Sequence, residues 1–345
     1  MSGSNQSAAA GSASAETRAR VPGWLTNQNT ILVGVLILLT IIFTAVEPKF
    51  FSVATASNIL TDWGSVVLIA AGMTYVVISG GIDLSVGATV GLSGVIAAYT
   101  MANVLGYSQD ISGSAAYGPL SIGLLVSLAV GLIVGLTNAF LINVVKIVPF
   151  IATLSTMGAA LGLSVIISGG QPIGSANDFN LINAINPKSI PFSPAVLVVI
   201  VVVVVLGLFL HKARFGLWTY STGSNAFATR AAGISVKRQI VKIYALSGLL
   251  AGLAGMYVYL RLGAGSPSSG TGRELDAIAA VVIGGAALSG GVGTMLGTAL
   301  GTLVLFTVQS GLIMAGVAPD WKKVVVAVLI AAAVGAQSLR KGGRS

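Results

Sequence analysis

The stretch VISGGIDLSVG, residues 77–87, sets an aspartate between two glycines and a run that turns apolar again. An unpaired carboxylate among hydrocarbon costs several kcal/mol, so Asp83 needs either a chemical purpose or a set of donors. Two chemistries fit. An intramembrane acid could carry a proton or bind a coupling ion. Alternatively, Gly80 and Gly81 end one helix and Asp83 caps the next, accepting free N–H groups at the helix's positive end. Asp276, in RELDAIAAVV, stands in a similar setting and is expected to repeat the device.

Most other chemistry is excluded by what the chain lacks. Zero cysteines rule out disulfides, thiolate metal sites and cysteine nucleophiles. The single histidine, His211, abuts Lys212 at the end of an apolar run and reads as an interfacial residue. No G-x-x-x-x-G-K-[ST] loop is present, so the chain has no nucleotide site of that kind. GTG (270–272) and GGVG (290–293) mimic dinucleotide loops but lie outside any strand–helix context, and read as turns and packing. No acidic or histidine cluster has metal-ligand spacing and no serine has a base. The reading is a protein that is not an enzyme, with no cofactor or metal of its own.

The segment STGSNAFATRAAGISV, residues 221–236, carries a different signal. Ser224 or Asn225 is a natural N-cap, Ala226 to Ala232 has high helix propensity, and Gly233 can take a left-handed C-cap. The product is a short capped helix bearing Arg230, Ala231 and Ala232, with Lys237 and Arg238 following. Small residues let such a helix sit in a groove of another protein. An ordinary amphipathic surface helix is the competing reading.

These residues must be positioned by a membrane protein. Only 8% of the 345 residues are charged and 55% are hydrophobic, with a mean hydropathy of +0.94. A soluble domain carries roughly 25% charged residues. Apolar stretches near 30–46, 58–79, 84–103, 119–145, 149–168, 194–211, 240–260, 275–289, 292–315 and 322–338 predict about ten transmembrane helices, the eighth partial or re-entrant. With both termini cytoplasmic, only Lys49, Lys188, Arg261, Arg273, Lys322 and Lys323 of the 18 basic residues fall outside. That satisfies the positive-inside rule and explains the net charge of +9 without nucleic acid. It also places Asp83 at the inner end of the second span, which favours the cap over the intramembrane acid. The domains read as a flexible cytoplasmic tail over 1–28, a transmembrane domain over 29–340 with its cytoplasmic segment at about 212–239, and a C-terminal tail over 341–345. The external loops 104–118 and 169–193 are polar and hold no catalytic constellation.

Glycines recur at four-residue spacing as Gly87/Gly91, Gly131/Gly135, Gly158/Gly162, Gly248/Gly252 and Gly293/Gly297/Gly301, predicting close helix packing. Thr294, Thr298 and Thr302 ride beside the last set. Ala71-Gly72-Met73 recurs as Ala254-Gly255-Met256, and Ile82-Asp83 downstream of the first is echoed by Leu275-Asp276 downstream of the second. Spans 2–5 and 7–10 then form an inverted repeat, an arrangement many transporters share.

AAGMTYVVISGGIDLSVGATVGLSG (70–94), VPFIATLSTMGAALGLSVIISGGQPI (148–173), GSNAFATRAAGISVKR (223–238), LSGLLAGLAGMYVYLRLGAG (246–265) and GRELDAIAAVVIGGAALSGGVGTMLGTALG (272–301) together resemble the permease subunits of bacterial ABC importers of the ribose/xylose/galactoside type, relatives of the branched-chain amino-acid permeases. The resemblance implies a plasma (inner) membrane subunit in membrane lipid, paired with a second permease copy, identical or not. It implies two copies of a separate ABC ATPase subunit, which hold the ATP and Mg, and an extracytoplasmic sugar-binding protein. Residues Gly223, Ser224, Asn225, Ala226, Arg230, Ala231, Ala232 and Gly233 match the loop that supplies the family's ATPase-coupling helix. Polar residues near mid-membrane would line the translocation pathway, namely Asn138, Thr153, Ser155 and Tyr75, with Phe150 as a steric gate. Interhelical hydrogen bonding accounts for each of them equally well. An ion-coupled secondary transporter, a permease for another polar solute (nucleoside, amino acid or autoinducer) and a passive channel are the competing functions.

Overall fold

The computed structural model describes residues 28–106, 117–174 and 192–318, together with Trp321, Val324, Val325, Ala327, Val328, Ala331 and Gly335. Nearly all of the expected N-terminal tail, most of loops 104–118 and 169–193, most of the tenth span and the C-terminal tail lie outside the described residues.

Eleven helices follow one another among the described residues. They are α1 (Gln28–Val46), α2 (Val53–Ile78), α3 (Ser85–Tyr99), α4 (Tyr117–Asn143), α5 (Pro149–Ser168), α6 (Pro194–Lys212), α7 (Arg214–Ser224), α8 (Ala226–Ala231), α9 (Val236–Leu262), α10 (Arg273–Ile283) and α11 (Met295–Met314). Eight of these segments are long and apolar enough to cross a membrane. The chain is an all-α polytopic membrane protein, and its one described sheet is a two-residue ladder. There β1 (Ile173–Gly174) runs antiparallel to β2 (Ala264–Gly265), tying the end of α5 to the turn after α9.

Local chemistry sets the helix ends. Ser52 caps α2 by accepting the Thr55 N–H at 3.2 Å, which starts that span earlier than the hydrophobic run suggests. Ser193 and Ser235 cap α6 and α9 in the same way, with Pro194 supplying a ready first-turn φ. The eighth expected span, 275–289, is helical only over α10. Eleven residues rise ~16 Å, about half of a bilayer core. The chain beyond it, 284–294, breaks into glycine turns, Gly285, Gly290 and Gly291 all having φ near +80 to +90°.

Two helices form the centre. From Trp63 to Ile78 every residue of α2 is buried, and α9 is buried over most of its C-terminal two thirds. A helix hydrophobic all round belongs inside the bundle, away from lipid. By contrast α1 buries only Leu32 and lies at the edge. The glycine repeats largely explain the fit. A Cβ on Gly131 or Gly135 of α4 would strike the Gly248 and Tyr244 carbonyls of α9, and one on Gly252 would strike the Ser127 carbonyl. Ser127 adds a 2.6 Å hydrogen bond to Gly252 O across this contact. Gly297 and Gly301 meet α10 in the same manner. The Gly158/Gly162 pair behaves otherwise. Nothing lies within 4 Å of a Cβ at either position, so this face of α5 packs against no described residue. Of the three threonines beside these glycines, Thr298 bonds across to Thr74 at 2.8 Å, Thr294 caps α11, and Thr302 bonds within it.

Candidate functional site

The break between α2 and α3 gathers polar side chains from four helices. Gly80 (φ +84°) takes the left-handed turn that ends α2, and Gly81 leaves room for the Tyr244 hydroxyl. Asp83, 1% exposed, then turns inward. Its Oδ1 accepts the Ser85 N–H at 3.0 Å, the Ser85 hydroxyl at 2.6 Å and the Asn138 amide at 3.5 Å. Its Oδ2 accepts the Ser247 hydroxyl of α9 at 2.8 Å. Asn138 of α4 also donates to Ser85 Oγ at 2.8 Å and accepts from Thr156 of α5 at 2.5 Å. Thr153 of α5 and Tyr244 of α9 donate to Ile82 O at 3.3 and 3.4 Å. Donors rather than a cation therefore satisfy the carboxylate, and one hub joins α3, α4, α5 and α9.

The capping geometry differs from expectation in detail. Leu84 occupies the N-cap position of α3, so Asp83 sits one residue outside and reaches the first helical N–H. Asp276 does not cap. It lies in the first turn of α10, behind Gly272 (φ +81°) at the N-cap. The buried acid nearest that cap is Glu274, whose carboxylate lies against the backbone N–H groups of Gly272 and Glu274 and beside Gly87 of α3. The acid at the start of α10 is therefore Glu274 rather than Asp276.

The five expected pathway residues divide. Asn138 and Thr153 are wholly buried in the hub. Tyr75 is buried elsewhere, its hydroxyl donating to Leu206 O at 2.6 Å and its ring stacked on Phe215 at 5.4 Å. It is a core residue between α2 and the α6–α7 corner. Phe150, 48% exposed, and Ser155 lie on the outward side of α5, Ser155 bonding back to Ile151 O at 2.9 Å. That side also carries Gly158 and Gly162.

The segment after α6 folds as two short helices. Asn225, and not Ser224, is the N-cap of α8, its Oδ1 accepting the Ala228 N–H at 2.9 Å. Ala232 is the C-cap, and Gly233 follows at φ +81°, its N–H donating to Arg230 O at 2.9 Å. Arg230 and Ala231 are exposed. So is Phe227, at 76%, a residue passed over in the sequence although it is the lone aromatic among small side chains there. Behind α8, α7 is held firmly. Gln239 donates to Phe215 O and Thr219 Oγ1, both at 2.9 Å. Tyr220 donates to Gly293 O at 2.6 Å, and burial raises its phenol above the ordinary value, keeping that proton in place. Gly223 lies where any Cβ would strike Ile78 O, the same carbonyl that accepts the Gly291 N–H at 2.8 Å. Ser224 packs on Gly291. The base of α8 thus interlocks with the last carbonyl of α2 and with the glycine turns after α10.

Residues 55–334 match the family described as "Branched-chain amino acid transport system / permease component". The ribose import permease of Escherichia coli (strain K12) is 34% identical over 316 residues, covering 90% of this chain and 93% of that protein. The ribose import permease of Bacillus subtilis (strain 168) is 38% identical over 302 residues, 87% of this chain and 89% of the relative. A galactose/methyl galactoside import permease of Haemophilus influenzae is 33% identical over 322 residues, 92% and 95% of the two chains. No solved structure matches the chain.

Proposed function

The chain belongs to the permease components of the branched-chain amino-acid transport system family, and from that membership we propose that it forms the translocation pathway of an ABC importer for a monosaccharide, a ribose-like pentose or a related sugar. The observation that carries the reading is the match, along nearly the whole chain, to import permeases named for ribose and galactosides. As a transport component it needs no catalytic group, and ATP with its Mg belongs to a partner ATPase. An extracytoplasmic binding protein delivers the sugar, and a second permease copy completes the unit in a bacterial inner membrane. Both termini face the cytoplasm, the orientation favoured by the positive-inside rule.

Within this reading α8 is the coupling helix. Its exposed Phe227 and Arg230 offer an apolar knob and a charge to a groove on the ATPase, while Asn225 and Gly233 hold the helix ends. Gly223 and Ser224 transmit its displacement to the Gly80 and Gly291 turns. The passage itself forms between two copies, because Phe150 and Ser155 face outward from a single chain. Asn138 and Thr153 hold the α5 wall in position from behind. Asp83 has no open coordination for a coupling ion, its oxygens being taken by four donors.

Reconstitution in liposomes tests the reading. Uptake of labelled ribose or galactose is expected only when the chain, its ATPase, the binding protein and ATP are all present. Ion-driven uptake by the chain alone would overturn it. Phe227→Ala and Gly233→Trp should each release the ATPase on purification and abolish uptake while leaving insertion intact. ATPase retention and stimulation unchanged in both would remove the coupling assignment.

A further inference from the structure

Where α4 ends and α9 begins, Asn143 of α4 donates to Lys237 O at 3.0 Å. The glycine contacts between these helices continue from there, so their ends stay side by side. Four cations gather at this corner. Lys146 follows α4 in a left-handed turn at φ +65°, and Lys237, Arg238 and Lys242 stand on the first two turns of α9. All four are exposed. Arg238 and Lys242 are one helical turn apart, a spacing at which like charges repel.

No acid among the described residues answers them. Glu47 ends the α1 side of the bundle, and Asp62 pairs with Arg261 at the far end of α9. Glu274 and Asp276 belong to the first turn of α10. Asp83 is 1% exposed, and its oxygens already meet the donors of the hub. The dipoles do not help either, because the negative end of α4 and the positive end of α9 offset one another. Four side-chain charges remain uncompensated.

Beside them lies bare hydrocarbon. Phe140 and Val144 of α4 are 54% and 63% exposed, and Val241 of α9 is exposed one turn beyond Lys237. The positive-inside rule asks for cations on this side of the membrane, but not for cations sharing a face with exposed apolar side chains. A strip with positive charge at one end and hydrocarbon at the other complements a molecule built the opposite way, with a phosphate head and acyl tails. Water or a soluble anion would match only the charged end.

We propose that this corner binds an anionic phospholipid, its phosphate among Lys146, Lys237, Arg238 and Lys242 and its tails along Phe140, Val144 and Val241. Only residues 232–235 separate α8 from α9, so a lipid held here also anchors the root of that exposed helix. The site does not depend on which solute is carried.

The chain has no cysteine, so Val241→Cys carries a single bimane fluorophore. The labelled chain is placed in phosphatidylcholine nanodiscs, with doxyl-labelled phosphatidylglycerol or doxyl-labelled phosphatidylcholine as quencher. Phosphatidylglycerol is expected to quench at a concentration at least about tenfold lower. Leu125→Cys, lipid-exposed in the other half of α4, should show no such preference. Lys146→Gln, Lys237→Gln and Lys242→Gln together should bring the ratio at Val241→Cys to about one, with the folded yield unchanged. A ratio near one with the lysines intact, or one that survives all three substitutions, would overturn the site. Relief of quenching by inorganic phosphate at constant ionic strength would leave a free-anion site instead. Relief by the ATPase subunit would assign the surface to that partner, and either result removes the lipid.

Discussion

Asp83 shows how a charge can be built into a transporter without acting as one. Each of its oxygens is met by donors from its own protein, so it ties α3, α4 and α9 together at the C-terminal end of α2. Asparagine keeps one acceptor oxygen for Ser85 and a polar group toward Ser247, whose hydroxyl can reverse its role. Asp83→Asn should therefore retain most uptake and lose no more than ~1 kcal/mol of stability. Asp83→Leu leaves the Ser85 N–H, the Ser85 hydroxyl and the Ser247 hydroxyl without their acceptor, a loss of about 3 kcal/mol or more, read as a lower melting temperature in detergent and reduced chain level. Equal loss of uptake in both variants at normal chain level would mean that the charge itself matters.

At the scale of elements, identical-looking glycine pairs do different jobs. Gly131 and Gly135 are pressed on α9, where a side chain would have to displace backbone, while a Cβ at Gly158 or Gly162 would meet nothing within 4 Å among the described residues. Gly135→Val should prevent α4 from closing on α9 and reduce the amount of folded protein several-fold, measured by detergent-resistant monodisperse yield. Gly158→Val should leave the folded single chain unchanged in the same measurement. Periodicity placed both pairs on helices and gave their faces. It could not tell which face meets a partner, because four-residue spacing describes one helix and says nothing of its neighbour. The same reasoning covers the Asp276 miss: a cap depends on where the helix begins, and Gly272 starts α10 four residues earlier.

At the scale of the whole molecule the outward α5 side points to assembly. In the proposed function Phe150 and Ser155 form one wall of the passage and a second chain supplies the facing wall. In the cysteine-free chain, Ser155→Cys should cross-link between two copies with a short bifunctional maleimide, and the yield should change when ATP is added to the full transporter. Absence of any cross-link between copies, with the assembly intact, would move the passage elsewhere.

Sequence alone determined the class, because composition and the length of the apolar runs leave a chain with 8% charge no stable state outside a membrane. It also determined the short helix after α6, since caps and propensity are local. Asn225 and Gly233 do there what their types allow. Tertiary structure decided what each polar residue does. Tyr75 and Asn138 are both polar residues in apolar spans, yet one bonds to a core carbonyl and the other joins the Asp83 hub. A cleft lined by Asn58, Asp62, Arg261 and Gln309 was invisible for the same reason. Its parts come from α2, α9 and α11, 251 residues apart from Asn58 to Gln309, and only packing brings them to one cavity. A buried polar group is satisfied by its neighbours in space, and those neighbours exist only once the helices have met.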